Sequence, residues 1–96
     1  MMVLITYDVN TTSVSGEKRL RKIAKLCQNY GQRVQNSVFE CLVDLHQLAL
    51  LKNKLIEIMD KDKDSLRIYY LGSNWRPKVE HIGANPGYDP EGILIT

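Results

Sequence analysis

What narrows the fold of this chain most is the order in which its hydrophobic spacing changes. The spacing is that of a strand, then a helix, then two short strands, then a helix, then a strand. The first segment is Val3-Leu4-Ile5-Thr6-Tyr7-Asp8, a β-branched and apolar run that ends on one acid. Val3, Ile5 and Tyr7 share one face; Leu4, Thr6 and Asp8 share the other. Both faces begin apolar, so this strand is expected in the middle of a sheet with both sides covered. Asp8 stands where the strand gives way to the polar loop Asn10-Thr11-Thr12-Ser13. A carboxylate held there by rigid backbone and facing solvent suits a metal or a metal-bound phosphate. The competing reading is a turn acid that hydrogen-bonds its own loop.

Ser15 is placed to cap a helix that runs to about Asn29 and stops at Gly31. Leu20, Ile23, Ala24 and Cys27 have the spacing of a buried stripe. Lys18, Arg21, Lys22 and Lys25 repeat that spacing on the opposite side, forming a row of cations. Such a row is either a solvated face or a ridge that tracks phosphates. Arg19 falls outside the row, beside Leu26 and Tyr30 on the flank of the apolar stripe. An arginine there needs a carboxylate or carbonyl partner. Two strands follow, Gln32 to Gln35 and Val38 to Val43, with Gln35-Asn36-Ser37 as the turn or bulge between them. Phe39, Cys41 and Val43 lie on one face of the longer strand; Val38, Glu40 and Leu42 lie on the other.

Asp44 with Gln47 is a capping-box pattern that opens a second helix. Its stripe is Leu48, Leu51, Leu55, Ile58 and Met59. His46 has no second His or Cys at ligand spacing and reads as a surface residue. Asp60-Lys61-Asp62-Lys63-Asp64 reads as a solvated loop. Its lysines oppose a bound cation, and no glycine or closing glutamate completes a calcium loop. The next strand is Ser65 to Leu71, with Leu66, Ile68 and Tyr70 alternating against Arg67, Tyr69 and Leu71. Gly72-Ser73-Asn74 turns the chain, and Lys78 to Ile82 is one more short strand. The remainder is rich in Pro and Gly and ends on Ile93-Leu94-Ile95, an apolar tail expected to dock on a partner subunit.

A chain of 96 residues is one domain. The element order is that of an α+β, ferredoxin-like βαββαβ sandwich with an additional C-terminal strand. The domain is expected over residues 1–83, and the tail, residues 84–96, at a dimer interface. Two helices cover one face of such a sheet and leave the other bare. Because both strand faces carry apolar residues, the expected assembly is a symmetric homodimer packed sheet against sheet. A net charge of +2 does not by itself announce nucleic acid, so the distribution of cations matters more than their sum. Cys27 and Cys41 lie in apolar patterns without CxxC or Cys/His spacing, which points to reduced core thiols and away from zinc. With no leader and no bilayer-length apolar run, the expectation is a cytoplasmic protein with no membrane partner.

Three stretches go beyond generic patterning. They are Tyr7-Asp8 closing the first strand, Lys18-Arg19-Leu20-Arg21 at the helix start, and Gly31-Gln32-Arg33-Val34-Gln35-Asn36-Ser37-Val38-Phe39-Glu40. In this order and spacing the chain resembles the CRISPR-associated adaptation nucleases of the Cas-two family, with the poorest fit after about Trp75. The resemblance implies a ferredoxin-like homodimer in which Asp8 from both subunits meets near the two-fold axis and holds a divalent metal. It implies the CRISPR integrase as partner, in a spacer-inserting complex. It also makes Ser37 and Phe39 neighbours of the site, against a turn hydroxyl for Ser37 and core packing for Phe39.

Two facing carboxylates repel unless a cation lies between them. Oxygen-only ligands favour Mg²⁺ or Mn²⁺ over zinc. Such an ion polarises a phosphate and acidifies its bound water. Arg19, Arg33 and the helix cations are then candidates for neutralising phosphates. Two classes of function follow. One is a metal-dependent endonuclease on DNA or RNA phosphodiesters. The other is a non-catalytic scaffold that holds duplex DNA between integrase subunits, where the cation row matters and Asp8 does not. A toxin-like endoribonuclease is a further alternative. A single-stranded RNA-binding module is the weakest, because Tyr69 and Phe39 do not make a pair of exposed aromatic strand motifs.

Overall fold

The computed structural model describes residues 1–71 and 78–84, the side chains of residues 78 and 79 excepted. Its elements are β1 (Met2–Asp8), α1 (Val14–Gln28), β2 (Gly31–Gln35), β3 (Val38–Leu42), α2 (Leu45–Ile58), β4 (Ser65–Leu71) and β5 (Lys78–Gly83). The strands form one antiparallel sheet in the order β2-β3-β1-β4-β5. This is the expected ferredoxin-like α+β arrangement, with β5 as the additional strand on the edge of β4. The turn expected at residues 72–74 and the tail from residue 85 onward lie outside the described residues.

The alternation along each strand decides what the helices cover. Val3, Ile5 and Tyr7 of β1, Phe39 and Cys41 of β3, and Leu66 and Ile68 of β4 are all buried. Ile23, Ala24 and Cys27 of α1 and Leu48, Leu51 and Leu55 of α2 close over them as one core. Each large apolar side chain so buried stabilises the fold by roughly 1.5–3 kcal/mol before entropy is counted. Cys27 and Cys41 are free thiols inside this core, with the Cys41 thiol donating to the Cys27 carbonyl at 3.6 Å. Among the described residues, no helix lies on the opposite sheet face. Its register lays out rows: Leu42, Met2 and Leu71; Glu40, Leu4 and Tyr69; Val38, Thr6 and Arg67; then Asp8 beside Ser65. Leu42 is 66% exposed, Leu71 42% and Met2 37%. β1 is central as expected, and among the described residues its helix-facing side is the buried one.

Local chemistry sets the helix ends. Asn10 accepts from the Thr12 amide at 3.0 Å and the Thr12 hydroxyl at 2.6 Å, an Asx turn. That turn delivers Ser13 in extended geometry, and its hydroxyl oxygen accepts from the Gly16 amide at 3.0 Å. Ser13, not Ser15, is therefore the cap. Gly31 ends no helix by a left-handed turn; it opens β2, where a Cβ would collide with the Glu40 carbonyl of β3. At α2 the capping box is complete. Asp44 accepts from the Gln47 amide at 2.7 Å, and the Gln47 side chain accepts from the Asp44 amide at 3.0 Å.

Candidate functional site

Asp8 is exposed at the last position of β1, opposite Ser65 of β4. It lines a hollow of about 160 Å³ with Thr6, Tyr7, Ser37, Ser65 and Arg67. Ser37 is held there because its carbonyl accepts from the Tyr7 amide at 2.9 Å. A second hollow runs from Tyr7, Asp8 and Ser37 to Val9, Thr11, Leu20 and Asn36. A third shares Thr11, Leu20 and Asn36 with it and adds Glu17, Arg21 and Arg33. The end of the central strand is thus a continuous rim, with Asp8 between Arg67 on one side and Arg21 and Arg33 on the other.

The expected site residues are spread over several places. Asp8 and Ser37 share the first hollow. Arg21 and Arg33 share the third, where the Arg33 Nε donates to the Asn36 carbonyl at 2.8 Å and its guanidinium lies 5.8 Å from the Phe39 ring centroid. Phe39 itself is fully buried in the core, beneath Arg33. Lys18, Arg21, Lys22 and Lys25 are all exposed, and Lys22 and Lys25 border a cleft with Leu26, Asn29 and Ile58. His46 is exposed at the start of α2.

Arg19 has a different position from the other cations. Its Nε donates to Asp64 at 2.7 Å and its Nη2 at 3.0 Å, and its side chain is only 16% exposed. Its flank position was legible, and of the two partners expected there, a carboxylate or a carbonyl, the fold supplies the carboxylate. This pairing commits most of its fork inside the fold rather than to a phosphate. The reading of residues 60–64 as wholly solvated is corrected here, because Asp64 is 0% exposed. Asp64 also accepts from the Tyr7 hydroxyl, and from the Asp60 amide at 3.0 Å. Burial pushes its pKa up, but the hydrogen bonds from Arg19, Tyr7 and Asp60 outweigh that and hold it below the usual carboxylate range. Tyr7 is driven well above its ordinary value, first by burial and then by its bond to Asp64.

Asp64, Ser65 and Arg67 were the residues that sequence reading did not single out. The alternation of Leu66, Ile68 and Tyr70, extended one step back, puts Asp64 on the buried face. Arg67 sits across from Thr6. The Ser65 hydroxyl and His81 Nε2 are 2.7 Å apart, and His81 is shifted below its ordinary pKa by burial and then by the charge of Arg67.

The donors around Asp8 decide which metal fits. Among the described residues, no three His, Cys, Asp or Glu side chains converge. Apart from Arg67, the first hollow is lined by one acid, Asp8, and by the hydroxyl residues Thr6, Tyr7, Ser37 and Ser65. These are hard oxygen donors, and one carboxylate suits Mg²⁺ when phosphate oxygens or a second carboxylate complete the shell. The residues fit that kind of ion and do not fit a zinc site. No helix among the described residues is long and apolar enough to cross a membrane.

Comparison with known proteins agrees with the fold. The sequence matches the family described as CRISPR associated protein Cas2 over residues 1–79. It is 65% identical over 95 residues to the CRISPR-associated endoribonuclease Cas2 of Nitratidesulfovibrio vulgaris, covering 99% of this chain and 93% of that one. It is 66% identical over 95 residues to the CRISPR-associated endonuclease Cas2 of Halalkalibacterium halodurans, covering 99% of both. The crystal structure of Streptococcus pyogenes Cas2 superposes with a TM-score of 0.75 at 59% identity, over 78% of this chain and 90% of that one. By sequence over most of its length, and by fold, the chain belongs to the Cas2 family of CRISPR-associated proteins.

Proposed function

We propose that this chain is a CRISPR adaptation protein that works as a symmetric homodimer, binds duplex DNA within a spacer-integration complex, and hydrolyses phosphodiesters with a divalent metal at Asp8. The observation that carries the nuclease reading is Asp8 itself: exposed at the end of the central strand, on the sheet face without helices, in a hollow of hydroxyls and one arginine. The relatives' names, endoribonuclease and endonuclease, support phosphodiester hydrolysis as the reaction class. One acid is thin equipment for that reaction, and a two-fold axis near the strand end doubles it. When bound, Mg²⁺ or Mn²⁺ there supplies polarisation of the phosphate and a more acidic water. The chain's own part is to place Asp8 rigidly, to present the hydroxyls of Ser37 and Ser65, and to offset phosphate charge with Arg67, Arg21 and Arg33.

A second reading, a scaffold for duplex DNA between integrase subunits, is favoured by the four exposed cations of α1. One pair of variants separates the two. Asp8→Asn is expected to stay folded and dimeric and to lose Mg²⁺- or Mn²⁺-dependent cleavage. It should keep spacer integration in a reconstituted complex with the CRISPR integrase. Lys22→Gln with Lys25→Gln is expected to keep cleavage of short substrates and lose integration. Equal cleavage by wild type and Asp8→Asn removes Asp8 from the chemistry; loss of integration with Asp8 alone makes the nuclease obligatory.

A further inference from the structure

Asp64 lies on the helix side of the sheet, and Asp8 on the open side, yet their backbones are nearly adjacent. Asp64 precedes Ser65, whose register partner is Asp8; Tyr7, which donates its hydroxyl to Asp64, precedes Asp8. The same carboxylate takes both Arg19 hydrogen bonds from α1 and the amide of Asp60 at the start of the α2–β4 loop. Its own carbonyl accepts from the Ala84 amide at 2.8 Å, just past β5. There Gly83 has φ +109° and leaves no room for a Cβ against the Asp64 carbonyl. One residue therefore ties together the ends of β1, β4 and β5 and the first turns of α1. Asp64 itself is not among the residues that line the Asp8 hollow, whereas its neighbours Tyr7 and Ser65 are.

We propose that Asp64 is the positioning residue of the Asp8 site, acting through Tyr7 and Arg19 without touching substrate. The carboxylate is buried and multiply bonded, so it has few alternative geometries. Tyr7 is clamped at both ends, by its hydroxyl to Asp64 and by its amide to Ser37, and this leaves the following residue one direction in which to project. The catalytic side of the inference rests on the proposed role of Asp8; the mechanical side does not.

The experiment uses the full chain with Tyr7→Phe and, separately, Asp64→Asn. Tyr7→Phe keeps the ring in the core and deletes one bond, so it remains informative if Asp64→Asn folds poorly. Cleavage of a short oligonucleotide with Mn²⁺ is measured as kcat and KM, and backbone amide exchange is measured without metal or substrate. The expected result is a kcat at least tenfold lower with KM within twofold of wild type. Exchange should be at least tenfold faster at residues 6–8 and 65–67 and unchanged at the opposite ends of β1 and β4. Folded Tyr7→Phe with wild-type kcat, or with unchanged exchange at those residues, overturns the proposal. If wild type itself does not cleave, the reading of Asp8 fails, and the exchange result alone decides whether Asp64 fixes the strand ends.

Discussion

Asp64 stays ionised behind the sheet because Tyr7, Arg19 and Asp60 supply enough donors to offset its burial. The consequence for stability has a definite sign. In the unfolded chain an aspartate titrates near about 3.9, and in the fold this one titrates lower. Between the two values the unfolded state binds more protons, so stability rises with pH there. The contribution is present above about pH 4 and is lost as pH falls through the folded value. At neutral pH, Asp64→Asn is expected to cost roughly 3 kcal/mol, the low end for breaking a buried pair, since Asn keeps one acceptor. Urea unfolding of wild type and Asp64→Asn, followed from about pH 6 to about pH 2, should show the gap between them shrinking. A gap that stays constant to the acid end means the carboxylate is not the source of that stability. Tyr7 shifts the opposite way: its raised value contributes stability below about pH 10 that is lost above it.

α1 has two faces of opposite character. Ile23, Ala24 and Cys27 fill the core, while Lys18, Arg21, Lys22 and Lys25 stay in solvent. Replacing Lys22 and Lys25 with Gln should change unfolding free energy by about 1 kcal/mol or less, because exposed charges contribute little to folding. If that face tracks a backbone, duplex DNA affinity should fall with little regard to sequence. The slope of log K against log salt should drop by about 0.9 for each phosphate that the variant no longer neutralises. An unchanged slope removes this face from DNA binding. Elements such as α1 were legible because periodicity is local: a stripe at helical spacing needs no knowledge of what it packs against. The capping box of α2 was legible for the same reason, since Asp44 and Gln47 satisfy each other. What could not be read depended on neighbours distant in sequence or on turn geometry. Ser13 became the cap through the turn set by Asn10. Asp64 sits 57 residues from the tyrosine that binds it, and its charged neighbours disguised it as part of a solvated loop. Asp8 was legible as an exposed acid at a strand end because a strand end is a local feature; Ser65 and Arg67 come beside it only through the β1–β4 register.

At the scale of the molecule, the sheet face opposite α1 and α2 carries apolar residues and Asp8 together. Leu42, Met2 and Leu71 form an exposed apolar row at one end of that face, and Asp8 stands at the other. Leu4 lies between, flanked by Glu40 and Tyr69 on the neighbouring strands. An apolar face of this kind, left open on a small chain, is best covered by its own copy, because a two-fold axis matches each patch to itself. Sedimentation at micromolar concentration should therefore give twice the 11.0 kDa chain mass. Leu4→Asp places a charge at the centre of the face and should return the species to the chain mass. Leu50→Asp alters an exposed leucine on α2 instead and should leave the dimer intact. The shared-metal reading adds a sharper consequence. If one Asp8 per protomer is insufficient and the second comes from the partner copy, Leu4→Asp should lose Mn²⁺-dependent cleavage although Asp8 and its hollow are untouched. Mixing wild type with an excess of Asp8→Asn should also lower activity by more than dilution, as mixed dimers carry one carboxylate. A monomeric Leu4→Asp that cleaves at the wild-type rate would show that each protomer's site is complete, and the Asp8 pair would then have no part in the reaction.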